Sequence, residues 1–429
     1  MLAVAEGRPD RVISDAESAG MVMNLIDQLA KMQPLRRVLL IPPDFTRFHS
    51  GAGPLTVELF SQLLSRGCDC IVLPALGTHF PMEPSERAAM FPGIPESVFR
   101  DHHFRDRVST VGEIPAQRLR ELSEGRVDQP VKVQVNSMLI DERWDAIISV
   151  GQLVPHEVIG IANHVKNILV GVGGFDLINK SHWLGAVYGM ERIMGRAESP
   201  VRTLLNEACE SGLSHLPIVY LLTVRQRTPS GGIVTRGLYG GTGQACFTRG
   251  AELCRQVNLD VVRKGPKKCV VWLDPHEFKS TWLGNKAIYR TRMMMADDGE
   301  LIVLAPGVKQ FGEDPTIDQL IRRFGYFGTP RTLENVAANP DLARNLSAAA
   351  HLIHGSTEGR FRVTYAPGHL TRQEVESVGF GYRDLNEAMA QYDPATLTDG
   401  WNQMDGEEVY FVSNPALGLW GTRERFGFA

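Results

Sequence analysis

Three polar clusters in the first half of the chain carry residue types that bind anions and move protons. Asp44, Thr46 and Arg47 follow two prolines, and the guanidinium of Arg47 can hold a carboxylate or a phosphate through two parallel hydrogen bonds. His79 stands in the sequence Gly-Thr-His-Phe-Pro, and His156 follows a proline. An imidazole takes up or releases a proton near neutral pH, so both histidines are candidates for general acid-base catalysis.

Each of these residues also has an ordinary structural interpretation. Asp44 and Arg47 can form a salt bridge within their own loop, and their position favours neither role. His79 can be a hydrogen-bonded structural histidine. Because each cluster alone is common, the functional interpretation depends on the clusters occurring together.

Lys166 and His182 are candidates for covalent and metal chemistry. Lys166 precedes the apolar segment NILVGVGG, and a lysine partly removed from water has a lowered pKa and becomes a nucleophilic amine. For an arbitrary lysine, a solvated surface position is the more common outcome. His182 can bind a transition metal through its neutral imidazole. The chain has no HExxH motif, so the sequence does not support a zinc site made by the protein alone.

Two glycine-rich segments can offer backbone amides to a phosphate. Gly171, Gly173 and Gly174 follow Lys166, and RGLYGGTGQACF spans 236–247. In the second segment Thr242 is a candidate helix cap, and residues 240–243 are a candidate phosphate loop. Neither segment matches GxGxxG or the Walker A pattern, so a dinucleotide-binding function is only weakly indicated.

The elements that must position these residues alternate between strands and helices. Apolar runs predict buried strands at 37–43, 68–77, 145–155 and 216–224. An amphipathic stretch at 53–67 predicts a helix between the first two, which is typical of a parallel sheet covered by helices. Ligands of such sheets bind at the carboxyl ends of the strands. The clusters around Asp44, His79 and His156 each follow one of the first three strands, so we expect them to lie at one edge.

The pattern restarts after Gly265-Pro266, where a helix predicted over 251–264 ends. Four further apolar runs predict strands at 267–275, 299–307, 360–368 and 407–414. We therefore expect an α/β fold of two domains, 1–264 and 265–429, with mostly parallel sheets flanked by helices. The last residues can return to the first domain, and we expect the active site in the cleft between the domains.

The composition limits the partners. The chain has 429 residues, with 45 Lys and Arg against 49 Asp and Glu, and a formal net charge of −4. This balance does not fit a nucleic-acid-binding protein. The longest apolar runs are far below the roughly 20 residues that span a bilayer, and the N-terminus lacks a signal-peptide pattern. With 6 cysteines and no disulfide framework expected, we predict a cytoplasmic enzyme with a small-molecule substrate and leave its oligomeric state open.

Taken together, the clusters resemble those of the lactate racemase family, whose members use a nickel-pincer nucleotide. The resemblance rests on DFTR at 44–47, GTH at 77–79, PH at 155–156, Lys166 and His182, in this order and spacing. Five motifs in order are much more specific than any one of them. The resemblance covers the first domain clearly and the second less tightly, where LGNKAIYR still fits.

The resemblance implies how the cofactor is held. Lys166 carries a pyridinium mononucleotide with two sulfur-bearing arms through a covalent thioamide link. His182 is the fourth nickel ligand, beside two sulfurs and one ring carbon of the cofactor. Thr46, Gly173 and Gly174 are further candidates for binding the cofactor.

The resemblance also implies a reaction, the racemisation or epimerisation of a 2-hydroxy acid by reversible hydride transfer to the cofactor. His79 and His156 are the two acid-base residues on opposite faces of the substrate. Arg47 holds the substrate carboxylate, and Asp44 orients the site. The Cα proton of such an acid is weakly acidic, whereas loss of hydride gives a flat 2-keto acid to which hydride can return on either face.

The chain departs from the family around the substrate. Phe80 stands where an arginine is common, and Met293 stands where lactate racemase has a lysine, whereas Tyr289 matches a substrate-site tyrosine. Three nearby cationic side chains can replace the missing charge: Lys286, Arg290 and Arg292. We therefore expect a 2-hydroxy acid larger than lactate, such as a sugar acid or a diacid, with Tyr289 and Arg290 as substrate contacts.

Two other functions stay open at this point. A nicotinamide-dependent 2-hydroxy acid dehydrogenase would act on similar substrates, but the chain lacks GxGxxG. A non-catalytic protein that binds or stores the nickel cofactor is the other alternative. The presence of both His79 and His156 argues against storage, because storage needs no acid-base pair.

Overall fold

The chain folds into two compact units in the computed structural model, which describes residues 1–228 and 232–428. Unit 1 comprises Met1–Leu184 and Gly195–Asn258, and unit 2 comprises Gly185–Met194 and the chain from Leu259 onward. The change of unit therefore falls between Asn258 and Leu259, whereas the boundary predicted from sequence lies between residues 264 and 265.

Unit 1 is built around a six-stranded sheet. Its strands and the shorter ones beside it are β1 (Leu2–Gly7), β2 (Arg37–Ile41), β3 (Asp69–Val72), β4 (Val108–Ile114), β5 (Val131–Asn136), β6 (Ala146–Gln152), β7 (Pro155–His156), β8 (Gly160–Ile161), β9 (Ile218–Arg227) and β10 (Ile233–Gly241). The sheet has the order β1-β10-β9-β6-β2-β3. Strands β9, β6, β2 and β3 are parallel to one another, whereas β10 is antiparallel to both of its neighbours.

The helices that begin in unit 1 are α1 (Asp15–Met32), α2 (Ala52–Ser65), α3 (Pro84–Met90), α4 (Ala116–Leu122), α5 (Met138–Asp141), α6 (Phe175–Tyr188), α8 (Pro200–Leu213) and α9 (Ala245–Asn258), while α7 (Met190–Ile193) lies in unit 2. Helix α1 begins at a capping box, in which Ser14 and Glu17 satisfy each other's backbone amides. Strand β2 is apolar along its length because both faces of the sheet are covered, and its last four residues have no exposed surface.

Unit 2 contains a second sheet of six strands. The strands of this unit are β11 (Asp260–Val262), β12 (Lys268–Trp272), β13 (Glu300–Ala305), β14 (Arg362–Pro367), β15 (Gly381–Tyr382), β16 (Gly400–Met404), β17 (Glu407–Val412) and β18 (Trp420–Thr422). Its helices after α7 are α10 (Thr281–Gly284), α11 (Lys286–Thr291), α12 (Pro315–Phe324), α13 (Thr329–Ala338), α14 (Pro340–Ala343), α15 (Leu346–His354), α16 (Arg372–Ser377), α17 (Leu385–Gln391) and α18 (Arg423–Phe426). The sheet order is β15-β14-β13-β12-β17-β16, with only β16 antiparallel to its neighbour.

The predicted α/β fold with mostly parallel sheets is confirmed by these two sheets. Two local predictions are wrong. The helix predicted over 251–264 is α9, which begins earlier and ends at Asn258, and β11 follows it. The candidate phosphate loop at 240–243 is also wrong in part, because Gly240 and Gly241 belong to strand β10 and pair with β1. The hydroxyl of Thr242 accepts a hydrogen bond from the amino group of Met1 at 2.7 Å.

Among the helices of the described residues, none has the length and apolar character needed to cross a membrane. All six cysteines are free thiols, and five of them are buried. Burial raises the pKa of the Cys70 thiol to about 12 and that of Cys246 to about 11, so these side chains act as small apolar groups in the core.

His102, His164 and His351 are among the almost completely buried histidines. The exposed fractions are 3% for His102, 1% for His164 and 5% for His351. Burial lowers the pKa of His102 to about 4 and the pKa values of His164 and His351 to about 3. All three imidazoles are therefore neutral in the folded protein at neutral pH.

We expect the free energy of unfolding to fall as the pH is lowered from 6.5 to 5. In this interval the unfolded chain binds protons on these three histidines, at the ordinary pKa near 6.5, and the folded chain does not. The stability that these neutral histidines contribute is therefore present well above pH 6.5 and is lost on acidification. At pH 5 each histidine lowers the free energy of unfolding by about 2 kcal/mol. Denaturant unfolding at pH 7.5 and pH 5 measures the change. A constant free energy of unfolding across this range would contradict the burial of these side chains.

Candidate active site

The loops that follow β2, β3 and β6 lie at one edge of the sheet of unit 1, since the three strands are parallel. Main-chain hydrogen bonds join these loops. The amide of Ala75 donates to the carbonyl of Pro42 at 2.7 Å, and the amide of Gly77 donates to the carbonyl of Gly171 at 2.8 Å. The loop that carries His79 is therefore attached both to the end of β2 and to the segment after Lys166.

Asn167 attaches the neighbourhood of Lys166 to the same edge. Its side-chain amide donates to the carbonyl of Ile41, at the end of β2, and to the hydroxyl of Ser149 in β6, both at 3.0 Å. Asn167 is buried, so these bonds satisfy groups that water does not reach. The loops of Asp44 and His79 and the segment that follows Lys166 therefore lie together at this edge of the sheet.

Asp44 and His79 form a hydrogen-bonded pair. The Nδ1 atom of His79 donates to Asp44 Oδ2 at 2.5 Å, and the other carboxylate oxygen accepts from the amide and the hydroxyl of Thr46, at 3.1 and 2.5 Å. Burial by itself would raise the pKa of Asp44, but the hydrogen bond and charge of His79 outweigh it and hold that pKa below its ordinary value. The His79 side chain is 52% exposed, and that of Asp44 is 6% exposed. A buried carboxylate thus orients an accessible imidazole, an arrangement typical of a general base.

Arg47 is exposed on the short 3₁₀ helix Phe45–Ser50, which Asp44 caps. Within residues 1–228 and 232–428, the structure has no ion pair between Asp44 and Arg47. The carboxylate of Asp44 is instead paired with His79. The charge of Arg47 nevertheless acts on its surroundings, because it helps to lower the pKa values of Asp44 and Lys166. A cation in this position can attract a substrate carboxylate.

Lys166 is partly buried, and the charges of Arg47 and Arg202 act on its amine. Burial lowers its pKa to about 8, with a further contribution from the charge of Arg47, while Glu157 acts in the opposite direction. The interpretation as a solvated surface lysine is therefore wrong. At pH 7 about a tenth of this amine is uncharged and able to act as a nucleophile, far more than for an ordinary lysine.

The backbone around Lys166 is unusual. Asn163 and His164 both have left-handed conformations, with φ angles of 69° and 62°, and Lys166 is followed by a short π-helix, Asn167–Gly171. Arg202 is fully buried and holds this segment by donating to the carbonyls of Ile161 and Asn163, at 2.6 and 3.2 Å. Strained backbone and π-helical turns are often found at functional sites.

His182 lies in α6, and its Nδ1 atom donates to the carbonyl of Ile178 in the preceding turn at 2.7 Å. Burial, with a contribution from the charge of Lys166, lowers its pKa to about 4, so the ring is neutral. Since Nδ1 carries the proton, the lone pair is on Nε2, the form in which histidine binds a metal. Across the described parts of the chain, no group of three or more His, Cys, Asp or Glu side chains is placed to hold a metal ion.

His156 lies at the end of the hairpin strand β7. The amide of Val158 donates to its Nδ1 atom at 3.1 Å, and the carboxylate of Glu157 lies 3.9 Å from the same nitrogen. Its side chain is 13% exposed. His156 is thus oriented by the main chain of its own turn, whereas His79 is oriented by a distant carboxylate.

The glycines after Lys166 are explained by packing. A Cβ atom on Gly173 would lie 1.8 Å from the carbonyl oxygen of Leu169, and one on Gly174 would lie 2.5 Å from the side chain of Gln134. The amide of Gly174 donates to the carbonyl of Gln134 at 3.0 Å, so that amide is already engaged within the protein. This corrects the prediction that the Gly174 amide is available to a phosphate, while the role of Gly173 stays a prediction.

We expect Gly173→Ala to lower the free energy of unfolding by roughly 1–3 kcal/mol or more, because the added methyl group collides with the backbone of the π-helix. Gly20→Ala in α1 is the control, since a Cβ there meets nothing within 4 Å. Denaturant unfolding of both variants measures the effect. Equal stability of Gly173→Ala and the unmodified protein would show that the segment can move aside.

The residues expected to contact the substrate from the second half of the chain lie in unit 2. Tyr289 is 5% exposed and its hydroxyl is hydrogen-bonded to His351 at 2.7 Å, and Arg290 is partly buried beside it in α11. Met293 is 1% exposed. Arg292 cannot replace the lysine missing at position 293, because its guanidinium is buried and bonded to Glu191 at 3.1 Å.

Several residues of the site were not identified from the sequence. Glu157 contributes to the charge around Lys166, and Arg202 and the left-handed residue Asn163 shape the turn before it. Only Glu157 carried a signal in the sequence, as an acidic residue directly after His156. Buried arginines and left-handed non-glycine residues depend on tertiary contacts and leave no local pattern.

This chain is similar to one described protein family and to solved structures. Residues 13–193 match the family described as lactate racemase N-terminal domain. A crystal structure of a protein from Thermotoga maritima has 23% identity and a TM-score of 0.79, covering 97% of this chain and 99% of that chain. The lactate racemase apoprotein from Thermoanaerobacterium thermosaccharolyticum has 14% identity and a TM-score of 0.70, covering 97% and 94%. No curated protein matches this chain.

Both solved structures are less than 25% identical to this chain, so they show a shared fold, which extends over nearly the whole chain. The family match adds a relationship in sequence, and it spans all of the motifs from Asp44 to His182. The resemblance drawn from those motifs is thereby confirmed. Residues 13–193 of this chain are thus similar in sequence to the lactate racemase N-terminal domain family.

Proposed function

We propose that the chain is a racemase or epimerase of 2-hydroxy acids that works with a nickel-pincer nucleotide attached to Lys166. The observation that carries the proposal is the combination of a buried amine of lowered pKa with the neutral imidazole of His182, at the sheet edge that also holds the Asp44–His79 pair. The match of residues 13–193 to the lactate racemase N-terminal domain family supports racemase or epimerase chemistry in general terms.

The residues present fit this cofactor. The charge of Lys166 acts on His182, so the amine and the imidazole are electrostatic neighbours. His182 would offer the Nε2 lone pair to nickel, since Nδ1 is bonded to Ile178. A single histidine is a poor metal site alone, but it is sufficient where the cofactor supplies the other ligands. Thr46 and Gly173 stay candidates for further cofactor contacts.

The side chains of unit 1 have separable roles in the proposed reaction. Arg47 would bind the substrate carboxylate, and Nε2 of His79 would take the hydroxyl proton while Asp44 stabilises the resulting imidazolium. His156 would serve the substrate oxygen from a second direction. When bound, the nickel-pincer nucleotide supplies reversible hydride acceptance from Cα, the redox chemistry that protein side chains lack.

We also propose that the substrate is larger than lactate, for example a sugar acid or a diacid. Met293 replaces the lysine of lactate racemase and is buried, and Arg292 is bonded to Glu191. Arg290 and Lys286 then stay the cationic side chains proposed for a polar group on the substrate. Comparable turnover of lactate, together with no turnover of longer 2-hydroxy acids, would contradict this proposal.

One experiment tests the function and its alternatives. The protein is produced together with the enzymes that make the cofactor, and intact mass spectrometry and nickel analysis are combined with a panel of single enantiomers. We expect an adduct on Lys166, about one nickel per chain and conversion of at least one enantiomer into a mixture without added NAD. Conversion only with NAD would indicate the dehydrogenase, and an adduct without any conversion would indicate a cofactor-binding protein.

A further inference from the structure

Hydrogen-bond partners define the tautomers of the three histidines at the site. A carboxylate or a carbonyl only accepts, and a main-chain amide only donates. The Nδ1 atoms of His79 and His182 face acceptors, at 2.5 and 2.7 Å, and therefore carry protons. The Nδ1 atom of His156 faces the amide donor of Val158 at 3.1 Å, so this nitrogen carries the lone pair. The ring proton of neutral His156 is therefore on Nε2.

We propose that His79 and His156 are not equivalent: His79 presents a lone pair at Nε2, whereas His156 is held as the Nε2–H tautomer and presents a hydrogen-bond donor. The catalytic meaning of this difference rests on the proposed function, but the tautomer itself does not. In the proposed reaction His79 accepts the hydroxyl proton, and His156 donates a hydrogen bond to a substrate oxygen. The resting protein is thus asymmetric between the two sides of the substrate.

The carboxylate of Glu157 is one group that opposes this assignment. A carboxylate near Nδ1 favours a proton on that nitrogen, but its nearest oxygen lies 3.9 Å away, beyond hydrogen-bonding distance. The amide of Val158 lies 3.1 Å away, in a residue that is 3% exposed. A proton on Nδ1 would place two donors against each other and leave a buried amide without its acceptor. The shorter contact therefore determines the tautomer.

The tautomer can be measured in the protein without cofactor or substrate. Protein labelled with ¹⁵N in its 12 histidines gives long-range proton–nitrogen correlations in which protonated and unprotonated ring nitrogens have well-separated shifts. His156→Gln and His79→Gln each remove one set of signals and so assign them. At pH 7.5 we expect the proton of His156 on Nε2 and that of His79 on Nδ1. A proton on Nδ1 of His156, alone or together with Nε2, would overturn the proposal.

Val158 provides a matched pair of variants, because only its main-chain amide is involved. Val158→Ala keeps the amide and should leave the His156 signals unchanged, whereas Val158→Pro removes it and should let the Nδ1–H form appear. An Nε2–H tautomer that persists in a folded Val158→Pro protein would show that the amide is not its cause and would overturn the proposal. If Val158→Pro does not fold, the spectrum of the unmodified protein still decides.

The loaded enzyme gives a second readout. Glutamine keeps a donor near the position of Nε2, so His156→Gln should retain kcat within roughly tenfold, whereas His156→Ala should lose about 100- to 1,000-fold, as for the removal of a hydrogen-bond donor from an active site. Equal losses in both variants would contradict the donor role. If the unmodified protein converts no 2-hydroxy acid, the proposed function fails while the measured tautomer stands.

Discussion

Asp44→Asn is expected to lower kcat of the loaded enzyme by about 1,000- to 10,000-fold, the order seen when the orienting aspartate of a serine protease triad becomes asparagine. An asparagine amide can donate to Nδ1 of His79, which would move the ring proton to Nε2 and remove the lone pair that accepts the substrate proton. The carboxylate of Asp44 now prevents this, because it accepts from Nδ1 at 2.5 Å.

The fold should tolerate Asp44→Asn. Asparagine is as good an N-cap as aspartate, and its side-chain oxygen can still accept from the amide of Thr46. Asp10→Asn, at an exposed surface ion pair, is the control for loss of a carboxylate. The measurements are kcat, the denaturation curve and the ¹⁵N shifts of His79. An Asp44→Asn enzyme with nearly unchanged kcat would contradict the role of Asp44 as the residue that orients the base.

Lys166→Ala is expected to abolish both the cofactor adduct and the activity, since no other residue is proposed to form the covalent link. In the protein without cofactor, Lys166 should also differ from ordinary lysines in the fraction of its amine that is uncharged. With a pKa of about 8, half of its amine is uncharged at pH 8, whereas an ordinary lysine of pKa 10.5 is uncharged to less than about one per cent. The uncharged fraction is therefore roughly a hundredfold larger.

Competitive labelling with an amine-specific reagent, followed by peptide mass spectrometry, measures this difference as a function of pH. Lys31, exposed near the end of α1, is the reference within the same chain, and Lys31→Ala is the control variant for loading. Lys166→Arg keeps the positive charge but has no amine to acylate, and it should also fail to carry the adduct. An adduct that persists in Lys166→Ala would place the covalent link elsewhere and overturn the assignment.

The central sheet was predictable because burial on both faces produces continuous apolar runs. The runs that became β2 and β6 are nearly uninterrupted, and their C-terminal loops carry the polar motifs. Strand β10 was not predicted, because Gly240 and Gly241 resemble loop residues until they are seen to pair with β1. Local sequence patterns therefore identified the buried central strands. They missed β10, whose strand structure becomes evident only from its pairing with β1.

The candidate residues of unit 1 were identifiable by type and order, but their partners were not. Asp44 and His79 are separated by 35 positions, and their hydrogen bond depends on two loops that are joined through main-chain contacts. Likewise, Arg292 looked available for a substrate, and only its bond to Glu191 assigns it to the interior of unit 2. Chemistry is encoded in residue types, whereas the choice between function and packing depends on tertiary contacts.

The way in which the three histidines are oriented also determines how the site tolerates random mutation. His156 accepts a hydrogen bond from the main-chain amide of Val158, and His182 donates one to the main-chain carbonyl of Ile178. Every residue has such a carbonyl, and every residue except proline has such an amide. His79 depends on the side chain of Asp44. In a saturation library, the partners of His156 and His182 should therefore accept most substitutions that respect burial, whereas position 44 should accept almost none. Sequence drift can therefore alter the base at His79 through its partner, whereas the carbonyl that holds His182 is not removed by any substitution of Ile178.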